Sequence, residues 1–185
     1  MKTSVRTPTT KGSNANLIWD LMHYSGNRLI LSAGYLYSFE SLDFNKILNS
    51  VCNIDLVVGT WQSKDPVKTA ALLNALHAYI DKFAMRVKNE SDEYGIQKPI
   101  INAYTVPNWH AKVALMVDTN KTSVSAAVIG SSNISNAALG LFYQNSNIEA
   151  DVLICSTDGE DAQVELDLLL SHLEATFIGH LFKTY

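Results

Sequence analysis

The chain is 185 residues long, 47% hydrophobic and 17% charged, a length and balance that suit one globular domain with a sizeable buried core. Its formal net charge of −4 excludes a uniformly basic coat for wrapping a polyanion, while leaving room for a local phosphate site. Charge is unevenly placed. Residues 1–14 carry Lys2, Arg6 and Lys11 without an acid, whereas the stretch from Glu149 to Glu174 holds eight acids and no Lys or Arg. That acidic tract reads mainly as the solvated face of a C-terminal helix.

Residues 1–15 read as a flexible basic tail, rich in Thr, Ser and Lys and lacking the apolar stretch of a signal peptide. No later run reaches membrane-spanning length, so the expectation is a cytoplasmic protein with residues 16–185 forming a single domain. Leu17, Ile18, Leu21 and Met22 recur at helical spacing and predict a first helix ending near Gly26. RLILSAGYL predicts a short buried strand, FESLDFNKILNSV a helix, and IDLVVGT a second buried strand closed by Gly59. Pro66 opens a long helix through about Lys88, and its apolar repeat at Leu72, Leu73, Leu76, Tyr79, Ile80 and Phe83 requires a covered face.

NESDEYGIQKP reads as a charged turn and IINAYTV as the next strand. AKVALMV and TSVSAAVIG follow as strands joined by the polar turn DTNKT, and a short helix starts at NISNAAL. EADVLIC predicts a final strand and DAQVELDLLLSHLEATFIGHLF a final helix. Strands alternating with helices predict an α/β domain with a mixed sheet covered on both faces. Cys52 and Cys155 lie far apart in apolar surroundings with no CxxC or Cys/His cluster, so they read as two buried thiols.

The chemistry concentrates in NWHAKVALMVDTNKTSVSAAVIGSSNISNAALG, residues 108–140. On a strand, residues i and i+2 share a face, so His110 and Lys112 project together while Ala111 turns to the opposite layer. A lone His beside a strand is commonly a packed core residue. The adjacent Lys weakens that reading, because a buried lysine without an anionic partner is costly. In AAVIGSSNIS a buried strand ends at Gly130, and Ser131 and Asn133 follow at a helix start. Such residues cap helices, and they also offer hydroxyl, carboxamide and backbone donors to an anion. Glu149, before ADVLIC, is either a solvated edge carboxylate or a partner that fixes a histidine tautomer.

Taken in order, His110-x-Lys112, Asp118, Gly130-Ser131-x-Asn133 and Glu149 resemble the HxK…D…GSxN…E signature of the phospholipase D superfamily. The likeness is to its single-motif nuclease branch: compact bacterial endonucleases and metal-independent restriction-enzyme catalytic domains. It covers roughly residues 16–185. One departure stands out. Five residues, Val113 to Val117, separate Lys112 from Asp118 where that family has four, an excess that a bulge or shifted turn would absorb.

The resemblance implies two motifs meeting at a twofold axis on one phosphodiester. Only one copy is present here, since His23, His77, His172 and His180 have no Lys two residues on. A homodimer with a composite site is therefore implied, as is a phosphodiester hydrolase that needs no cofactor and no Mg²⁺. In that reading His110 forms a phosphohistidine, while Lys112, Ser131 and Asn133 hold the phosphate oxygens. Glu149 orients the imidazole, and the aspartate is mainly structural. The expected substrate is nucleic acid, DNA before RNA, with Trp109, Tyr104 and the basic tail as further contacts; ordinary strand packing is the other reading of the two rings, Tyr104 above all. A lipid phosphodiester is the alternative, weakened by the lack of an amphipathic basic helix. A non-catalytic nucleic-acid-binding module is a third reading, against which the intact motif stands.

Overall fold

The structure, a computed structural model, describes residues 1–6, 17–18, 20–36, 39, 42–131, 133, 149–159 and 161–185. Among these, the strands are β1 (Lys2–Arg6), β2 (Arg28–Ala33), β3 (Asn53–Thr60), β4 (Ile100–Pro107), β5 (Val113–Asp118), β6 (Ser123–Gly130), β7 (Glu149–Cys155) and β8 (Leu181–Thr184). The helices are α1 (Phe44–Ser50), α2 (Pro66–Tyr94) and α3 (Ala162–Phe177). Leu17, Ile18, Asp20 and Leu21 are helical, as their spacing predicts.

All eight strands form one mixed sheet in the order β1-β7-β6-β5-β2-β3-β4-β8. Strands β2, β3 and β4 run parallel. The chain then reverses its direction of travel through the sheet, because β5 lies antiparallel on the other side of β2. Period-2 alternation sorts the side chains into two cores. Leu29, Leu31, Ile54, Leu56, Ala114 and Met116 pack with Ile47 of α1 and Ile80, Phe83 and Val87 of α2. Ile30, Val57, Leu115 and Val117 pack on the opposite face with Leu166, Leu170, Leu173 and Phe177 of α3. This is the α/β class, a mixed sheet covered on both faces, that the sequence predicts.

The alternation breaks once. Val124 and Ala127 share the α3 face although they are three positions apart. The register between β5 and β6 shifts there, Met116 facing Ala126 and Val117 facing Val124, so Ser125 is an extra residue. Its hydroxyl donates to the Met116 carbonyl at 3.1 Å. The hairpin thus contains a bulge, as the long spacing to Asp118 anticipates, but the added residue belongs to β6.

Four expectations are corrected. Lys2–Arg6 is not tail but an edge strand, antiparallel to β7; a short polar strand that only covers a sheet edge carries no apolar alternation to betray it. Residues 7–16 lie outside the described residues, as does the helix expected at NISNAAL. Helix α2 continues through the predicted charged turn to Tyr94, where Gly95, in the left-handed conformation at φ 64°, closes it with its N–H on the Ser91 carbonyl. The last helix stops at Phe177, and Leu181–Thr184 instead pairs antiparallel with β4. Finally, Cys155 is buried but Cys52 is exposed.

Candidate active site

The site follows from the crossing that the strand order demands. From the end of β4 the chain must pass over the ends of β3 and β2 to reach the position of β5. It turns at Asn108, whose φ of 57° is left-handed, an orientation that asparagine tolerates better than most residues. The Asn108 amide donates to the Thr60 carbonyl at 2.9 Å and the Trp109 amide to the Val106 carbonyl at 3.3 Å. The crossing is close: a Cβ on Gly59 would stand 2.2 Å from the Trp109 carbonyl oxygen and 2.7 Å from that of Gly34. Only glycine allows it.

Residues 109–112 therefore lie outside any strand, and β5 begins at Val113, two residues later than the start of the predicted strand AKVALMV. Facing is nevertheless as anticipated. Trp109 is buried on the α3 face, where Ala111 packs too. The Trp109 indole N–H donates to Ser32 Oγ at 2.7 Å, and that hydroxyl donates to the Ala111 carbonyl at 2.9 Å. Pinned from this side, the segment presents His110 and Lys112 to the other.

Lys112 Nζ lies 2.8 Å from His110 Nδ1, 2.9 Å from Nε2 and 2.7 Å from the His110 carbonyl oxygen. Both side chains meet Asn133 above Gly34. A methyl group there would sit 3.1 Å from His110 Cδ2, 3.3 Å from Lys112 Nζ and 3.4 Å from Asn133 Oδ1. Asn133 is held by the Tyr35 amide, which donates to Oδ1 at 3.1 Å, and its NH₂ group is the carboxamide's donor. His110, Lys112 and Asn133, which span 24 positions of sequence, thus converge on one point.

Ser131 stands at the mouth. Its amide donates to the Ala150 carbonyl at 3.1 Å and its Oγ accepts from the Ala150 amide at 3.0 Å, which prolongs the β6–β7 ladder by one side-chain bond. Gly130 carries no side chain because Asp151 fills the space: a Cβ would collide with Asp151 Oδ1. His110, Ala111, Lys112, Val113, Ile129, Gly130 and Ser131 line an open depression of about 400 Å³. It lies at the carboxyl ends of parallel strands where strand order reverses, the place where open α/β sheets bind ligands.

Glu149 opens β7 opposite Arg6 of β1; its side chain falls outside the described residues. Asp118 lies at the far end of β5 and serves the hairpin turn. Its carboxylate accepts from the Asn120 amide at 3.1 Å and pairs with Lys121 at 3.3 Å. Burial opposes ionisation there, but Lys121 and the Asn120 amide outweigh it and hold the carboxyl below its ordinary value. Among the described residues no group of three His, Cys, Asp or Glu side chains gathers as a metal site, and no helix is long and apolar enough to cross a membrane.

Two aromatic expectations fail. Tyr104 and Trp109 are both 8% exposed and belong to the core. The exposed ring near the site is one that sequence reading passed over. Trp61, 40% exposed, meets the His110 ring edge-to-face at a centroid distance of 6.0 Å. Tyr35 stacks on Trp61 at 5.6 Å with the planes 6° apart. The signal was available: Gly34-Tyr35 and Gly59-Thr60-Trp61 each follow a buried parallel strand at its carboxyl end.

No family model matches the sequence, and no curated protein matches it. Among solved structures, the chain is similar to phosphatidylserine synthase of Haemophilus influenzae Rd KW20, at 15% identity and a TM-score of 0.64, over 100% of this chain and 39% of that one. Weaker likenesses are to polyphosphate kinase of Porphyromonas gingivalis (10% identity, TM-score 0.49, 95% of this chain and 26% of that one) and to yeast tyrosyl-DNA phosphodiesterase (15% identity, TM-score 0.37, 83% and 33%). The chain thus spans well under half the length of the structures it matches. Over its whole length it shares the α/β fold of the first of these structures, and His110, Lys112 and Asn133 gather at one end of its sheet.

Proposed function

We propose that this chain is a metal-independent phosphodiesterase that cleaves DNA through a phosphohistidine, in a site completed by a second copy of itself. The observation that carries the reading is the convergence of His110, Lys112 and Asn133 above Gly34. An imidazole, an ammonium and a carboxamide around one small space suit a tetrahedral anion and little else.

In the reaction a His110 ring nitrogen attacks phosphorus in line. The N–P bond forms as the P–O bond to the leaving group breaks, and the leaving oxygen takes a proton from the His110 of the other copy. That second imidazole, now neutral, removes a proton from water as the water oxygen attacks phosphorus, and the N–P bond breaks to return the first His110. Lys112, Asn133 and Ser131 stabilise the charge on the nonbridging oxygens, and Glu149 orients the ring. In this reading the second imidazole is the His110 of the other copy. His77 stacks on Phe182 at 3.9 Å and His23 faces Asp20 at 4.0 Å, each occupied away from His110.

A lipid phosphodiester is the second reading, favoured by the likeness to a phosphatidylserine synthase; at 15% identity that likeness reports fold. One assay separates the two. Purified protein, in excess EDTA, is given plasmid, single-stranded DNA, RNA and phospholipid vesicles. DNA cleavage should persist in EDTA and disappear in His110→Ala. Cleavage that stops in EDTA and returns with Mg²⁺ overturns the mechanism, and faster turnover of phospholipid than of DNA puts the lipid reading first.

A further inference from the structure

We infer that Trp61, backed by Tyr35, is a stacking seat for the nucleobase next to the scissile phosphate, and that the preferred substrate is an unpaired strand. The inference rests on the nuclease reading above and adds a specificity-determining residue to it.

Three observations lead there. First, the indole is continuous with the proposed phosphate site, since it touches the His110 ring edge-to-face. A group that occupies Trp61 is therefore the neighbour of a phosphate at His110. Second, behind Trp61 lies an apolar pocket of about 240 Å³, bounded by Tyr35, Leu36, Thr60, Leu73, Leu76 and Tyr79. Sites for drug-sized ligands run to roughly 300–1,000 Å³, so this one takes a single ring system and is too small for a pair of acyl chains. Third, charge around it suits a polyanion. Among the described residues no carboxylate lines the pocket, and Lys64 and Lys68, both exposed, flank the helix cap Asp65, so the stretch after Trp61 carries one net positive charge.

A planar base has a π-face for the indole whatever its identity, so the seat gives affinity with little sequence preference. In a duplex both faces of a base are already stacked, and reaching the seat requires unpairing. An unpaired strand meets no such cost.

The test uses the full-length protein with His110→Ala to prevent cleavage, and a fluorescently labelled single-stranded oligonucleotide. Adding Trp61→Ala should weaken binding by about 5- to 150-fold, the range of one base–aromatic stack, while Trp61→Phe keeps most of the affinity. A matched strand of abasic sites should bind both proteins alike. Indole fluorescence should be quenched by the oligonucleotide and much less so in Trp61→Phe, a readout that does not depend on how well Trp61→Ala folds. Equal affinity for Trp61→Ala, or an equal loss on the abasic strand, overturns the seat while leaving the nuclease reading in place. Failure of the wild-type protein to cleave any nucleic acid removes that reading, and the seat with it.

Discussion

Strand β2 begins at Arg28 and runs out at Gly34, and its two ends treat charge in opposite ways. At the first end Arg28 is locked between carboxylates. Its Nε donates to Asp55 Oδ2 at 2.6 Å and Nη1 to Glu174 Oε1 at 2.5 Å, and Asn102 donates to the other Asp55 oxygen at 3.0 Å. Asp55 is 1% exposed, so its oxygens depend on the donors that Arg28 and Asn102 supply. The triad ties α3 to the sheet, and it gives Glu174, part of the acidic tract expected to be solvated, a structural task. At the second end His110 is exposed and meets Lys112 and Asn133 over an open space. One end spends its polar groups on each other. The other sets them beside an open depression, and this difference separates a joint from a site.

The sharpest way to break the comparison is to mutate both ends. His110→Ala should lower phosphodiesterase activity by roughly 10⁴-fold yet move the melting temperature by no more than about 2 °C, because the side chain is exposed. Arg28→Ala should do the reverse. Removing one partner of a buried network costs about 3–5 kcal/mol, a fall of roughly 6–20 °C in a domain of this size, with activity per folded molecule kept in the cold. Thermal melts beside single-turnover rates decide it; an unstable His110→Ala or an inactive but stable Arg28→Ala would erase the distinction.

A smaller effect sharpens the site end. Gly34 has no positive φ to protect, so Gly34→Ala should fold normally. Its methyl would nevertheless press His110, Lys112 and Asn133 at 3.1–3.4 Å. We expect activity to drop about 10- to 100-fold through misplacement alone, measured as kcat at saturating substrate. An unchanged kcat would mean that the cluster over Gly34 is not where the chemistry happens.

The smallest effect sharpens the joint. Burial, and then the Asp55 carboxylate, raise the Tyr104 phenol above its ordinary value. The folded state therefore keeps a proton that the unfolded chain has lost, and stability declines as pH rises past the ordinary tyrosine value of about 10. Tyr24, Tyr94 and Tyr185 are raised as well, so absorbance titration should show several late-ionising tyrosines, with one fewer in Tyr104→Phe.

Much of this was legible in the sequence, and the reasons for the rest are local. The buried strands declared themselves through apolar runs closed by Gly59 and Gly130, and the pairing of His110 with Lys112 through spacing alone. The edges β1 and β8 did not, because a strand with one neighbour has no apolar alternation to display. The last six residues of α2 were hidden by their charge, although no Gly or Pro interrupts Asn89–Tyr94 before Gly95. Trp109 and Trp61 exchanged roles for a topological reason. Trp109 precedes the His in sequence, but the crossing turns it inward to Ser32, whereas Trp61 arrives from β3, whose end the crossing covers. Sequence distance to a motif says little about which ring will stand beside it.

The central claim is that a single motif acts in pairs, since one imidazole has no means of attacking phosphorus and protonating the oxygen that leaves on the opposite side. Wild-type and His110→Ala subunits, mixed one to one under conditions that exchange subunits, test it directly. If each site needs both His110 rings, only dimers with two wild-type subunits turn over, and activity falls to about a quarter of the unmixed value. Activity of about half, or a fully active monomer in sedimentation, would contradict the shared site.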